Sequence, residues 1–199
     1  PTREIHATDI DLVRLDASWR AAIEHHEYPR AVSDALGEAM AASVLMAGSL
    51  KFEGRLSLQF EGPGPVRLLL AQCSHRHAIR GVARHDELPA GGTGPASLFG
   101  GGQLAVTIEQ AEGGDRYQGV VPLDQGRLAA GLEQYFERSE QLPSRLVLTA
   151  TTDRAAGLLL QRLAGPEDDD AWRRIGLLAA TLTPAELLAT PCDELLRRL

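Results

Sequence analysis

Pro29-Arg30-Ala31-Val32-Ser33-Asp34-Ala35-Leu36-Gly37-Glu38-Ala39-Met40-Ala41-Ala42-Ser43-Val44-Leu45-Met46-Ala47 is the stretch on which the fold turns. Val32, Leu36, Met40, Ser43, Val44 and Ala47 recur at helical spacing behind a proline suited to a first turn. Ala31, Ala35, Ala39, Ala41 and Ala42 fill the gaps, so this long helix is expected to pack closely under a sheet. Upstream, the alternation from Ile10 to Leu15 predicts a strand, with Asp16 placed to cap a helix over Trp19 to His25.

Downstream, Arg55 to Phe60 alternates with period two, residues 61–65 supply a Gly/Pro turn, and Val66 to Ala71 reads as the returning strand. Ala78 to Arg84 reads as a third strand, and the Gly/Pro-rich stretch 89–102 does not favour regular structure. Strands are expected over 104–109 and 117–122, around Glu112-Gly113-Gly114-Asp115, then a helix over 125–139 and strands over 145–149 and 157–163. Without a regular βαβ alternation, this predicts an α+β fold, with mixed or antiparallel sheets packed on a long helix and followed by C-terminal linker helices. Glu167-Asp168-Asp169-Asp170 would sit at the first turn of a helix running through Trp172 to Ala180, at the positive end of its dipole. Thr183-Pro184-Ala185-Glu186 has the form of a capping box, and residues 192–199 read as a last short helix.

The chain has 199 residues, 44% hydrophobic and 24% charged, enough for one sizeable core and ordinary for a globular protein. Its net charge of -7, with no basic block to offset it, argues against nucleic acid and anionic membrane as partners. No apolar run approaches bilayer length and the start has no secretory h-region, so a cytoplasmic protein is expected. A first residue of Pro rather than Met suggests a processed or excised chain.

Chemistry-bearing constellations are few. Cys73, His75 and His77 could present a thiolate and two imidazoles from one side of an extended strand, but no fourth metal ligand is evident, and solvated turn histidines are the plainer reading. The pair His25-His26 fits the negative end of a helix dipole. The glycines of 91–102 lack the Lys-Ser or Lys-Thr of a phosphate loop. No nucleophile elbow or acid/base pair stands out, so no catalytic residue and no metal site is assigned.

Several stretches go beyond composition. Tyr28-Pro29 leads into the long helix, which ends Leu50-Lys51-Phe52-Glu53-Gly54, and Gln59-Phe60-Glu61-Gly62-Pro63-Gly64-Pro65 follows. Arg80-Gly81-Val82-Ala83 comes next, then Arg116-Tyr117-Gln118-Gly119-Val120-Val121 and the run from Leu132 through Gln134-Tyr135-Phe136-Glu137-Arg138-Ser139-Glu140-Gln141-Leu142 to Pro143. In this order they resemble the heat-shock protein 33 family, the 33-kDa chaperonins. The chain departs from the family pattern at Ala7-Thr8-Asp9-Ile10, where an apolar segment and an Arg-Gly pair are usual, and at Cys73 to His77, which replaces a more neutral turn.

The resemblance implies an ATP-independent holdase rather than an enzyme: a cytoplasmic chaperone that binds unfolding client proteins under oxidative and heat stress and is often a homodimer when active. It also implies a redox switch, a C-terminal module whose four cysteines hold zinc when reduced and form disulfides when oxidised. This sequence contains neither Cys-x-Cys nor Cys-x-x-Cys, and Cys73 and Cys192 do not match that module, so no cofactor is expected in this chain. Residues 1–176 are expected to form the client-binding core and 177–199 the start of the linker helices. Client contact is expected at Leu56, Leu58 and Phe60 on a sheet face, and at Leu177, Leu178, Leu182, Leu187 and Leu188 in the linker. The competing expectations are a small-ligand or metal-binding enzyme domain and a purely structural dimerisation domain.

Overall fold

The long helix forms as α2 (Arg30–Ser49) and lies between two antiparallel sheets. The computed structural model describes residues 8–89, 94–111, 114–123, 126–163 and 169–199. One sheet has three strands, β1 (Thr8–Leu15), β7 (Ser144–Ala150) and β8 (Ala155–Arg162), in the order β1-β8-β7. The other has five, β2 (Gly54–Glu61), β3 (Val66–Ser74), β4 (Ile79–His85), β5 (Gln103–Gln110) and β6 (Arg116–Pro122), in the order β4-β3-β2-β5-β6. Every pairing is antiparallel, which narrows the expectation of mixed or antiparallel sheets.

Thirteen of the twenty residues of α2 are buried, so the helix has no single apolar stripe: it is covered nearly all round. The expectation of one sheet over its small-residue face is therefore corrected to two. Glycine makes the approach possible on both sides. A Cβ added at Gly37 would lie 2.5 Å from the Ala150 Cβ of the small sheet, and one at Gly81 would lie 2.8 Å from the Met40 sulfur. A single core joins helix and sheets through Leu36, Met40, Leu45, Leu58, Leu69, Val106 and Leu159.

Helices α1 (Ala17–Ile23), α3 (Pro95–Phe99) and α4 (Leu128–Tyr135) close the edges of this core. Trp19 of α1 is fully buried and its indole N–H donates to the Thr151 carbonyl at 2.8 Å. Asp16 makes no side-chain cap, contrary to expectation; its carboxylate instead faces Arg154 at 3.9 Å. The 89–102 stretch does hold a helix, α3, whose Phe99 ring lies 4.4 Å from that of Phe60 and whose Phe99 carbonyl accepts from the Gly64 N–H. The helix expected over 125–139 is shorter: α4 passes into a π-type turn, Phe136–Glu140, which ends at Gln141 in the left-handed region, φ 55°. Positions 90–93, 112–113, 125 and 167–168, which those expectations included, lie outside the described residues.

Helices α5 (Asp169–Ala180), α6 (Pro184–Ala189) and α7 (Cys192–Arg198) end the chain. The expected capping box is present. The Thr183 hydroxyl accepts from the Glu186 N–H at 3.2 Å, and the Glu186 carboxylate accepts from the Thr183 N–H at 2.9 Å.

Candidate functional site

β8 reads Ala155-Ala156-Gly157-Leu158-Leu159-Leu160, and all six of these residues are buried. Alternation along a strand sends Ala155, Gly157 and Leu159 to one face and Ala156, Leu158 and Leu160 to the other. The first set meets α2; the second would be an exposed apolar face unless something covered it. In register beside it stand Ile10 and Leu12 of β1, opposite Leu160 and Leu158, and Val147 of β7, opposite Leu158.

The cover consists of α5, α6 and α7. Ala179, Leu182, Leu187 and Leu195 are buried there, flanked by Trp172, Ile175, Leu188 and Leu199, in a cluster separate from the α2 core. Each fully buried leucine contributes about 1.5–3 kcal/mol. With lengths of 12, 6 and 7 residues, none of these helices would be stable alone in water, so folding of the cover depends on docking.

Charged side chains at the ends of the small sheet hold the cover in place. Arg14 of β1 donates to the carbonyls of Leu187 and Thr190 at the end of α6, with Nε 2.9 Å from Leu187 O. Arg162 meets Asp169 at 2.7 Å, and the guanidinium of Arg145 stands 6.0 Å above the Trp172 ring. Glu186 joins α6 to α7 by accepting from Arg198 at 2.8 Å. The Thr183 backbone N–H, and then Arg198, hold the Glu186 carboxyl down at about 2.

The residues expected to meet clients fall into three environments. Leu177 and Leu178 are exposed, at 63% and 44%. Leu182 and Leu187 are buried against the small sheet and Leu188 is half-buried there. Leu56, Leu58 and Phe60 are buried in the α2 core, because the parity of β2 points them at the helix while Ser57 and Gln59 lie on the opposite face of the sheet. Those three would reach a client only if α2 left the large sheet. The sequence reading missed Arg14, Ala156, Leu158 and Leu160; the available signal was the unbroken apolar run of β8, which marks a strand covered on both faces.

The Cys73, His75 and His77 group does not converge. Cys73 is buried, its thiol pushed up to about 11 by burial, whereas the exposed His75 ring nitrogen Nδ1 accepts from the Gly54 N–H at 3.0 Å. Among the described residues no three His, Cys, Asp or Glu side chains are placed to hold a metal ion. The residues present therefore do not fit a thiolate zinc site. No helix among the described residues is long and apolar enough to cross a membrane.

The chain is 46% identical over 191 residues to the 33 kDa chaperonin of Nitrosococcus oceani, covering 95% of this chain and 65% of that protein. It is 41% identical over 193 residues to the 33 kDa chaperonin of Hahella chejuensis, covering 95% and 67%. It thus spans about two thirds of the length of these relatives. The crystal structure of a 33 kDa chaperonin (heat shock protein 33 homolog) from Thermotoga maritima superposes with a TM-score of 0.84 at 26% identity, covering 100% of this chain and 72% of that one. The family model described as Hsp33 protein matches residues 5–199. A match of that extent, on the same fold, means that the chain belongs to the Hsp33 family.

Proposed function

We propose that this chain is the client-holding core of a redox-regulated, ATP-independent chaperone that acts in the cytoplasm under heat and oxidative stress. The observation that carries this reading is the covered face of the small sheet: Ala156, Leu158 and Leu160 lie under helices too short to persist undocked. Releasing the cover uncovers that face and the leucines of the cover together, giving an apolar patch larger than a monomer ordinarily leaves open. Holding a client is binding rather than bond-making, so it needs no catalytic residue.

In this reading Leu177 and Leu178 meet clients in the docked state, and Leu182, Leu187 and Leu188 join them on release. Leu56, Leu58 and Phe60 keep their place in the core. Residues 1–176 are read as the client-binding core and 177–199 as the start of the linker, with α5 packing into the cover's apolar cluster on both sides of that boundary. Redox control through a zinc-thiol module and homodimerisation are carried over from the family resemblance and rest on no residue of this chain.

The test is light scattering of a denatured reporter enzyme with the chain present, without nucleotide, in reducing and in oxidising buffer. Equal suppression of aggregation in both is expected. Failure to suppress in either would favour a purely structural domain.

A further inference from the structure

Where α2, α4, β7 and α5 meet, a cavity of about 620 Å³ opens, within the range that small ligands fill. The N-terminal half of α2 lines it with Ala31, Asp34, Ala35 and Glu38, four residues on one helix face. From the other side α5 supplies only small or apolar residues, Gly176, Ala179, Ala180 and the following Leu182. The cavity therefore exists in this form only while α5 is docked.

Its charges nearly cancel. Asp34 is bound by Arg30 at 2.8 Å, and Glu133 stands 4.0 Å from Arg145 while accepting from the Leu146 N–H at 2.8 Å. Arg127 lines the wall and acts favourably on Glu133. Glu38 remains: its carboxyl makes no hydrogen bond or ion pair among the described residues. A chamber whose α2 and α5 walls offer alanines and Leu182 beside one uncompensated carboxylate is chemically matched to an apolar body carrying one cation.

We propose that this cavity is a binding site for a small primary alkylamine, with the ammonium group on Glu38 and the alkyl chain against Ala35 and the α5 wall. Because α5 forms one wall, the ligand binds the docked state alone and holds the cover down, opposing release. The charged groups lining the cavity with Glu38 are Asp34 from α2, which Arg30 pairs, Arg127 just ahead of α4, Glu133 from α4 and Arg145 from β7; α5 contributes none to the lining.

Calorimetric titration of the full chain with hexylamine, and with hexanol as its uncharged analogue, tests this at about pH 8.5, where Glu38 is ionised. Saturable hexylamine binding is expected, weakened at least about tenfold in Glu38→Gln and with hexanol. Ala180→Leu, at an exposed position on α5 that fills the chamber, should abolish binding even if Glu38→Gln perturbs folding. Bound hexylamine should also slow hydrogen exchange of α5. A lysine side chain carries the same group, so a capped Leu-Lys-Leu peptide is titrated in parallel; a small-ligand site predicts that it does not bind. Absence of saturable binding, equal binding to Glu38→Gln, equal binding of the peptide, or unchanged α5 exchange would each overturn the proposal. Binding is read without any aggregation assay, so its failure leaves the chaperone reading intact.

Discussion

The guanidinium of Arg14, on the first strand, lies with Nε 2.9 Å from the carbonyl oxygen of Leu187, near the end of the chain. It also donates to Thr190 O, so one cation satisfies two carbonyls that the short helix α6 cannot bond internally. The same charge faces the negative end of the α6 dipole. Arg154 adds a long contact of 3.5 Å to Leu188 O. Arg14 is thus the polar latch at the α6 end of the cover, as the Arg162–Asp169 pair is at the start of α5, around a seam of apolar contacts.

Arg14→Ala should loosen the cover without touching the core. Hydrogen bonds from a charged donor are worth about 1.5–3 kcal/mol when lost, and partial exposure of the latch places the expected cost near the lower end. Amide exchange in α6 and α7 should accelerate by roughly tenfold while that of β2 and β5 stays as it was. Acceleration spread evenly over the chain would mean that Arg14 supports the whole fold rather than the latch.

Two leucines separate surface from cover. Leu187 is fully buried against the small sheet, whereas Leu178 is 44% exposed. Leu187→Asp places a charge where none can be solvated, at a cost of about 3 kcal/mol or more, and should undock the cover. Binding of a hydrophobic dye and suppression of reporter aggregation should both rise. Leu178→Asp should leave stability within about 0.5 kcal/mol and weaken client holding alone. Matching behaviour of the two variants would remove the distinction between docked and released surfaces.

Much of this architecture is legible in the sequence, because its signals are local. The alternation from Arg55 to Phe60, the helical spacing from Val32 to Ala47 and the Thr183/Glu186 capping box each carry their own periodicity or chemistry, and each forms as read. What was not legible depends on partners distant in the chain. Asp16 has the right type for a cap, yet Arg154 draws its carboxylate elsewhere. Leu56, Leu58 and Phe60 alternate as any half-buried strand does, and the pattern cannot say whether the apolar face meets α2 or a client. Arg14 gives no signal at all until the end of α6 is brought to it.

Two glycines of one helix should respond oppositely to alanine. In an exposed helical position the change is worth up to about 1 kcal/mol in favour of alanine. Gly48 has no atom within 4 Å of the new Cβ, so Gly48→Ala should stabilise. At Gly37 the Cβ would stand 2.5 Å from that of Ala150 and 3.3 Å from that of Ala155, both fixed to strands. Parting α2 from the small sheet costs about 1–3 kcal/mol, which outweighs the helical gain. Thermal melting should fall by about 2–8 °C in Gly37→Ala and rise slightly in Gly48→Ala.

Glu38 makes stability depend on pH in a direction opposite to that of a paired carboxylate. Burial, and then the charge of Asp34, raise its carboxyl from 4.5 to about 7. Between these values the folded chain holds a proton that the unfolded chain has released, so stability falls as pH rises through that window and stays lower above it. Glu38→Gln keeps the shape of the neutral acid and removes the titration. In urea unfolding the variant should match the wild-type chain near about pH 4.5 and exceed it by about 1–3 kcal/mol at about pH 8.5. A stability difference that does not change with pH would show that Glu38 is solvated or paired in solution, and the uncompensated charge in the cavity would go with it.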